Sequence, residues 1–285
     1  MTITIRPARQ GDAAECGRII FVAFQTLADQ HGFPRDFPSV EAAEGVASML
    51  MATPGFYDVL AEEDHRIVGV NFVDLRSRIA GVGPIAVAPN AQNKGIGRAL
   101  MHAVMDVAIK QNAEGIRLVQ AAYHNRSLCL YTTLGFQTRE PLSVMQGSPL
   151  NLRFPGYDVR RATKADIAAC NGLCREVHGF DRDTELTRAI GQEAATVVEH
   201  SGRITGYATT VGFFAHAVAE SNHDLQALIG AATTFPGPGF LLPTRNHEVL
   251  KWCLDHGLQL VMQMTLMTTG TYNEPTGTYL PSVLY

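Results

Sequence analysis

The chain opens on alternation. Ile3 and Ile5 are apolar between Thr4 and Arg6, which predicts a strand over 2–8. Over 11–30 the spacing changes, and Ala14, Ile19, Ile20, Ala23 and Phe24 fall on one face of a helix. The proline-broken stretch HGFPRDFPS reads as a loop, followed by a second helix at 40–52. Strands follow at 56–62, 66–76 and 83–88, the first two joined by the turn EEDHR, whose charges read as a solvated loop. The turn QNKGIG leads into a helix reaching 112, with Ile96, Leu100, Val104 and Ala108 as its core stripe. Then come the strand IRLVQAAY, a short helix after Asn125 and a strand near 140–146. This order predicts an α/β domain of the α+β, mixed-sheet kind, with antiparallel hairpins and one βαβ crossover.

The pattern then repeats. IRPARQGDAAEC (5–16) lies over VRRATKADIAAC (159–170), HRIVG (65–69) over GRITG (202–206), and LGFQTREPLSVMQG (134–147) over HGLQLVMQMTLMTTG (256–270). The order of the matches is preserved, as a duplication requires. SPLNLRFPGYD (148–158), with two prolines and a glycine, is the natural linker, so the expected domains are 1–153 and 154–285.

Composition narrows the partners. Of 285 residues, 46% are hydrophobic, enough for two buried cores. Lys plus Arg number 23 against 27 Asp plus Glu, without a long run of either sign, so nucleic acid is not an expected partner. MTITIRPARQ carries arginines where a secretory signal needs an apolar run, and no stretch reaches the roughly 18 apolar residues of a membrane span. The expectation is a soluble cytoplasmic protein. The cysteines at 16, 129, 170, 174 and 253 are odd in number and scattered, which fits reduced thiols and no metal site.

The candidate chemistry sits at QNKGIG. A helix N-terminus offers unpaired N–H groups and the positive end of the macrodipole, and glycine lets a phosphate come close. Gly95 and Gly97 stand there, with the charge of Lys94 beside them. The stretch is not G-x-x-x-x-G-K-[ST], and Leu100 stands where a dinucleotide fingerprint needs a third small residue. On the glycines alone, a strand-to-helix turn without a ligand is an equal reading.

With its surroundings, VAPNAQNKGIGRAL resembles the Q/R-x-x-G-x-G/A signature of the GCN5-related N-acetyltransferases, carried here by Gln92, Gly95 and Gly97. HNRSLCLYTTLGF (124–136) is similar to that family's N-x-x-A-x-x-x-Y-x-x-x-G-F segment, with Asn125 and Tyr131 in place and Leu128 where a small residue is usual. The resemblance implies an acyl-CoA N-acyltransferase fold in two tandem copies. It implies acetyl-CoA as cosubstrate, with its pyrophosphate on Gln92, Asn93, Lys94, Gly95, Ile96 and Gly97, and with Arg98 and Asn125 alongside. The strand Ile85, Ala86, Val87 would take the pantetheine arm and lend an N–H to the developing oxyanion, where parallel strands around Val87 and Ala121 splay apart.

The resemblance casts Tyr131 as the acid that protonates the leaving thiolate, the alternative being a tyrosine packed beneath its helix. Asp74 and His124 are the reachable side chains for a base, directly or through water. The implied reaction is N-acetylation, by direct attack, of a small amine or an exposed amino group met beside the 31–40 loop. The competing readings are a non-catalytic acyl-CoA-binding module, an acyltransferase for longer chains, and a structural protein. Whether the chain forms a homodimer is left open.

The second half lacks the signature. AVAESNHDLQALIGAA (217–232) has no Q/R-x-x-G-x-G, and Cys253 falls opposite Tyr131, so this copy is expected to be degenerate. Its tail, TLMTTGTYNEPTGTYLPSVLY, reads as a closing hairpin, with Tyr272, Tyr279 or Tyr285 as the alternative wall of an acceptor pocket.

Overall fold

The computed structural model describes residues 3–284, so Tyr285 and residue 2 of the first expected strand lie outside the described residues. The chain divides into two compact units. One runs to Gln137 and regains Met267–Thr271 and Leu284, and the other comprises Thr138–Leu266 and Tyr272–Val283. The expected halves, 1–153 and 154–285, thus each give a strand segment to the other's unit.

In the first unit, β1 (Ile3–Pro7), β2 (Phe56–Glu63), β3 (Arg66–Asp74) and β4 (Ile79–Val82) form an antiparallel run. β5 (Ala86–Val87) also pairs with β3, while β6 (Gly115–Ala121) pairs with β4 in parallel. Residues 267–270 lie at the other edge of β6, and Thr271 N donates to Glu114 O at 2.8 Å. The strand expected at 83–88 is therefore reduced to Ala86–Val87, and a separate strand that the periodicity does not predict precedes it at Ile79–Val82, because IAGV offers no alternation.

α1 (Ala13–His31) ends where Gly32 takes a φ of 70°, and α2 (Val40–Ala52) starts with Ser39 Oγ accepting from Ala42 N at 3.3 Å. At Gly17 a Cβ would stand 2.3 Å from Glu44 Cα, so only glycine lets these two helices meet. α3 (Ile96–Lys110) and α4 (Asn125–Thr133) cover the other face. There Ile96, Leu100, Met101 and Val104 pack with Val59, Val73, Val82 and Leu118, and the expected stripe of α3 is core.

The second unit repeats the plan. β8 (Tyr157–Arg161), α5 (Ile167–His178), α6 (Asp183–Gly191), β9 (Thr196–His200), β10 (Arg203–Ala208), β11 (Ala217–Ala219) and α7 (Asn222–Ala231) follow in the same order. β12 (Phe240–Pro243), α8 (His247–Asp255) and β13 (Gln259–Gly270) complete it, and β7 (Gln137–Gln146) lies antiparallel to β12.

The matched sequence segments adopt matched conformations. Asp64–His65 and Ser201–Gly202 are two-residue turns with positive φ throughout, and Gly135 and Gly257 have φ of 90° and 85°.

β14 (Thr278–Leu280), in the tail, pairs antiparallel with β11, Ala217 opposite Leu280, and packs beside β12. The tail is therefore not the expected hairpin: β13 and β14 belong to different sheets, and β14 closes the edge beside β11.

Candidate active site

Parallel pairing of β4 with β6 ends at Val82 opposite Leu118. Beyond the interruption at Gly83–Ile85, β5 pairs among the described residues with β3 alone, so the sheet opens between β5 and β6. Ala88 N donates to Val68 O at 2.9 Å. Val87, facing Gly69, is therefore a non-hydrogen-bonded position whose N–H and C=O turn to the open edge. Ala86 is buried and Ile85 sits in the interruption.

The turn that opens α3 is fastened to this edge. Gln92 Nε2 donates to Val87 O at 3.1 Å, and Gln92 Oε1 accepts from Arg126 Nη1 at 2.9 Å. Arg126 Nη2 also donates to Asn93 Oδ1 at 3.1 Å. Asn93 and Gly95 have φ of 67° and 80°, and Gly95 is the N-cap, without a side chain to occupy the free N–H groups of the helix. A Cβ at Gly97 would meet Leu130 at 3.5 Å and Val87 at 3.9 Å, so the glycine keeps clear the groove between α3, α4 and β5. Ile96 is core and contributes backbone only.

The charges differ from the sequence reading. Lys94 Nζ lies 2.8 Å from Glu63, which neutralises it, and Glu62 accepts from Arg6 Nε at 2.9 Å. The run at 62–64 is thus two ion pairs and a turn, made by partners too distant in sequence to foresee. Arg98 donates to Thr133 Oγ1 at 3.1 Å and Arg126 to two amide oxygens, so both keep their positive charge near the turn. Arg126 follows Asn125 at the head of α4, and the i+1 position of a helix entry gave no cue to its reach.

Tyr131 is 5% exposed and packs edge-on to Phe136 with centroids 6.1 Å apart. Burial pushes its hydroxyl up to about 12, opposed by a hydrogen bond with Ser127. Ser127 Oγ in turn lies 2.6 Å from His124 Nδ1. Burial, then the charges of Arg126 and His31, hold the His124 imidazole below its ordinary range and neutral at pH 7. His124, Ser127 and Tyr131 thus form one chain along α4.

Asp74 is not brought to it. It stands opposite Gly81 in the closed part of the ladder, and Arg76 clamps it, with Nε at 2.8 Å and Nη2 at 2.5 Å.

Gln120 escaped the sequence reading. On β6 it shares the face of Leu118, toward α3 and α4; it is 5% exposed, and neither its Oε1 nor its Nε2 has a hydrogen-bond partner. A buried amide without partners costs about 1–3 kcal/mol, which marks a position built to meet something. Only the ending of the parallel ladder places it at the opening.

The second unit is closed at both corresponding places. Ser221 Oγ accepts from Asp224 N at 3.3 Å and Asp224 Oδ2 accepts from Ser221 N at 3.1 Å, so side chains cap α7 and a carboxylate occupies its positive end. β14 takes the free edge of β11. Cys253, opposite Tyr131 in the repeat, is buried core whose thiol burial pushes up to about 12. Among the described residues no group of three His, Cys, Asp or Glu is placed to hold a metal, and no helix is long and apolar enough to cross a membrane.

Residues 55–138, which span the open edge, the turn and α4, match the family model "Acetyltransferase (GNAT) domain". Over 137 residues the chain is 29% identical to UPF0157 protein YqkA of Bacillus subtilis (strain 168), covering 48% of this chain and 38% of that protein's length. In fold it is similar to the Pyrococcus horikoshii "Putative Acetyltransferase" (TM-score 0.75, 17% identity, 97% of this chain and 92% of that one). It is also similar in fold to the "Tandem GNAT protein from the clavulanic acid biosynthesis pathway" (TM-score 0.56, 15% identity, 94% and 98%). Residues 55–138 thus match a GNAT acetyltransferase domain, and the chain shares its fold along almost its whole length with a tandem GNAT protein.

Proposed function

We propose that this protein is an N-acetyltransferase whose first half, 1–153, takes acetyl-CoA and passes the acetyl group to an amine by direct attack, while 154–285 is a degenerate copy. The observation that carries the proposal is the joining of an uncapped, glycine-lined helix N-terminus to an unpaired strand edge through Gln92 and Val87. The residues present fit a phosphorylated arm bearing amides. Free N–H groups at 95–97 and the charges of Arg98 and Arg126 suit the pyrophosphate, with Asn125 at the head of α4 beside them. The open edge of Val87 and the orphaned amide of Gln120 suit the pantetheine.

Acetyl-CoA, when bound, supplies an activated acyl group. The protein's part is to orient it, to present the Val87 N–H to negative charge on the acyl oxygen, and to hold a protonated hydroxyl at Tyr131. Neutral His124, bonded to Ser127, is the group able to accept a proton from the amine side. Five unpaired cysteines suit a reducing cytoplasm.

Calorimetric titration of acetyl-CoA into the wild type and a folded Gly95→Glu/Gly97→Glu variant tests the proposal. Micromolar binding abolished by the pair of substitutions is the expected result, and no binding by the wild type overturns it. The burial of Tyr131 favours a second reading, a module that binds acyl-CoA without turnover. Coenzyme binding with no acetylation across an amine panel would establish that reading instead.

A further inference from the structure

The 31–40 loop brings a carboxylate and aromatic rings to the end of β6. Phe33 stacks on Tyr123 with centroids 4.2 Å apart and planes 7° from parallel, and the His31 ring lies 5.2 Å from Tyr123. Tyr123 comes two residues after β6 ends and immediately before His124, at the mouth of the opening between β5 and β6. Asp36 lies close enough to Tyr123 for its charge to act with burial in pushing the phenol up to about 12.

Asp36 itself is half-buried, and among the described residues no side chain bonds or ion-pairs with its carboxylate. Its sequence neighbour Arg35 is committed elsewhere, to Asp29, with both bonds at 3.0 Å. His31 Nδ1 is bonded to Leu27 O, and His124 is neutral.

Resting on the acetyltransferase reading, we infer that Asp36 and the Phe33–Tyr123 stack form the acceptor subsite, and that it binds as its ammonium a primary amine on a flat apolar body that carries no carboxylate, the ammonium giving one proton to neutral His124 before the amine attacks. A half-buried carboxylate facing no cation gains from a bound one, and a π-face beside it adds a cation–π contribution. Burial pushes the Asp36 carboxyl up to about 6, so at neutral pH it is ionised and ready for a cation. The same charge repels an acceptor that brings its own carboxylate.

The matched pair phenethylamine and phenylalanine, one skeleton with and without the carboxylate, tests this by calorimetry and by initial rates with acetyl-CoA. The wild type is expected to bind phenethylamine at least about tenfold more tightly than phenylalanine. Asp36→Asn should reduce phenethylamine affinity by about tenfold or more and erase the preference, raising KM rather than lowering kcat, with acetyl-CoA affinity unchanged. Asp36→Glu, which keeps the charge, should restore most of it. Acetyl-CoA binding without phenethylamine binding, or an unchanged preference in Asp36→Asn, overturns the inference and leaves the acetyltransferase reading standing. A wild type that fails to bind acetyl-CoA overturns that reading, whereas amine binding is read without coenzyme.

Discussion

Gln92 Nε2 donates to Val87 O at 3.1 Å, so the turn that begins α3 and the strand bordering the opening are held as one piece. The other end of the same amide accepts from Arg126, which places the head of α4 against that turn. One side chain thereby sets the spacing of the elements assigned to the coenzyme.

Gln92→Ala removes both bonds. At about 0.5–1.5 kcal/mol for each, acetyl-CoA should bind roughly 5- to 150-fold more weakly. Calorimetry reads the affinity. A thermal melt should move by no more than a few degrees, because the side chain is only half-buried.

Coenzyme stoichiometry should be one per chain. The capped N-terminus of α7 and the pairing of β14 with β11 leave the second unit without either feature used in the first. The calorimetric binding number reads this directly, and a value near two would show that the second unit opens.

Tyr131→Phe should lower kcat by about 10²–10⁴ with little change in acetyl-CoA affinity, if its proton goes to the leaving thiolate. Because the folded hydroxyl is pushed up to about 12, the rate profile should show no tyrosine limb below about pH 11. Unchanged turnover would return Tyr131 to a packing role.

Acid stability should depend on two equivalent ion pairs. Arg6 Nη1 lies 2.8 Å from Asp12 and Arg160 Nη1 lies 2.8 Å from Asp166, each holding its carboxyl below the ordinary value of 3.8. A depressed folded value means stability that is present above about pH 4 and lost as pH falls through the lower folded value. Arg6→Met/Arg160→Met should flatten this loss in melts taken from pH 5 down to pH 2, and lower the melting temperature at pH 7.

The buried chain in the second unit should be costly to break. Tyr207 Oη lies 2.9 Å from His216 Nε2, and His216 Nδ1 lies 3.1 Å from Glu185, which pairs with Arg182. His216→Leu should destabilise by about 2–4 kcal/mol, since it deprives the buried hydroxyl of Tyr207 and the partly buried carboxylate of Glu185 of one partner each. Chemical denaturation reads it, and a loss under about 0.5 kcal/mol would show that the network relaxes freely.

What could be read from the chain in advance was local. The periodicities at 11–30 and 40–52 became α1 and α2 within two residues, and the repeated segments became repeated turns. These follow from side-chain spacing and from backbone positions that favour glycine, which neighbours in sequence decide. The glycine turn was legible for the same reason: Gly95 needs a positive φ and Gly97 an empty groove, and both show in the residue type.

The rest depended on partners far along the chain. The ion pair that silences Lys94, the clamp on Asp74, the orphaned amide of Gln120 and the uncompensated carboxylate of Asp36 are properties of where side chains end up, and no spacing encodes them. Nor could alternation show that β7 would lie on β12, or that 267–271 would return to the first unit. A strand's pattern states which face is apolar, not which strand is its neighbour. The sequence alone determined the two copies, their elements and the anion-ready turn, because those rest on local geometry; tertiary pairing decided which edge stayed open and which was filled, because every unpaired strand edge competes for the same hydrogen bonds.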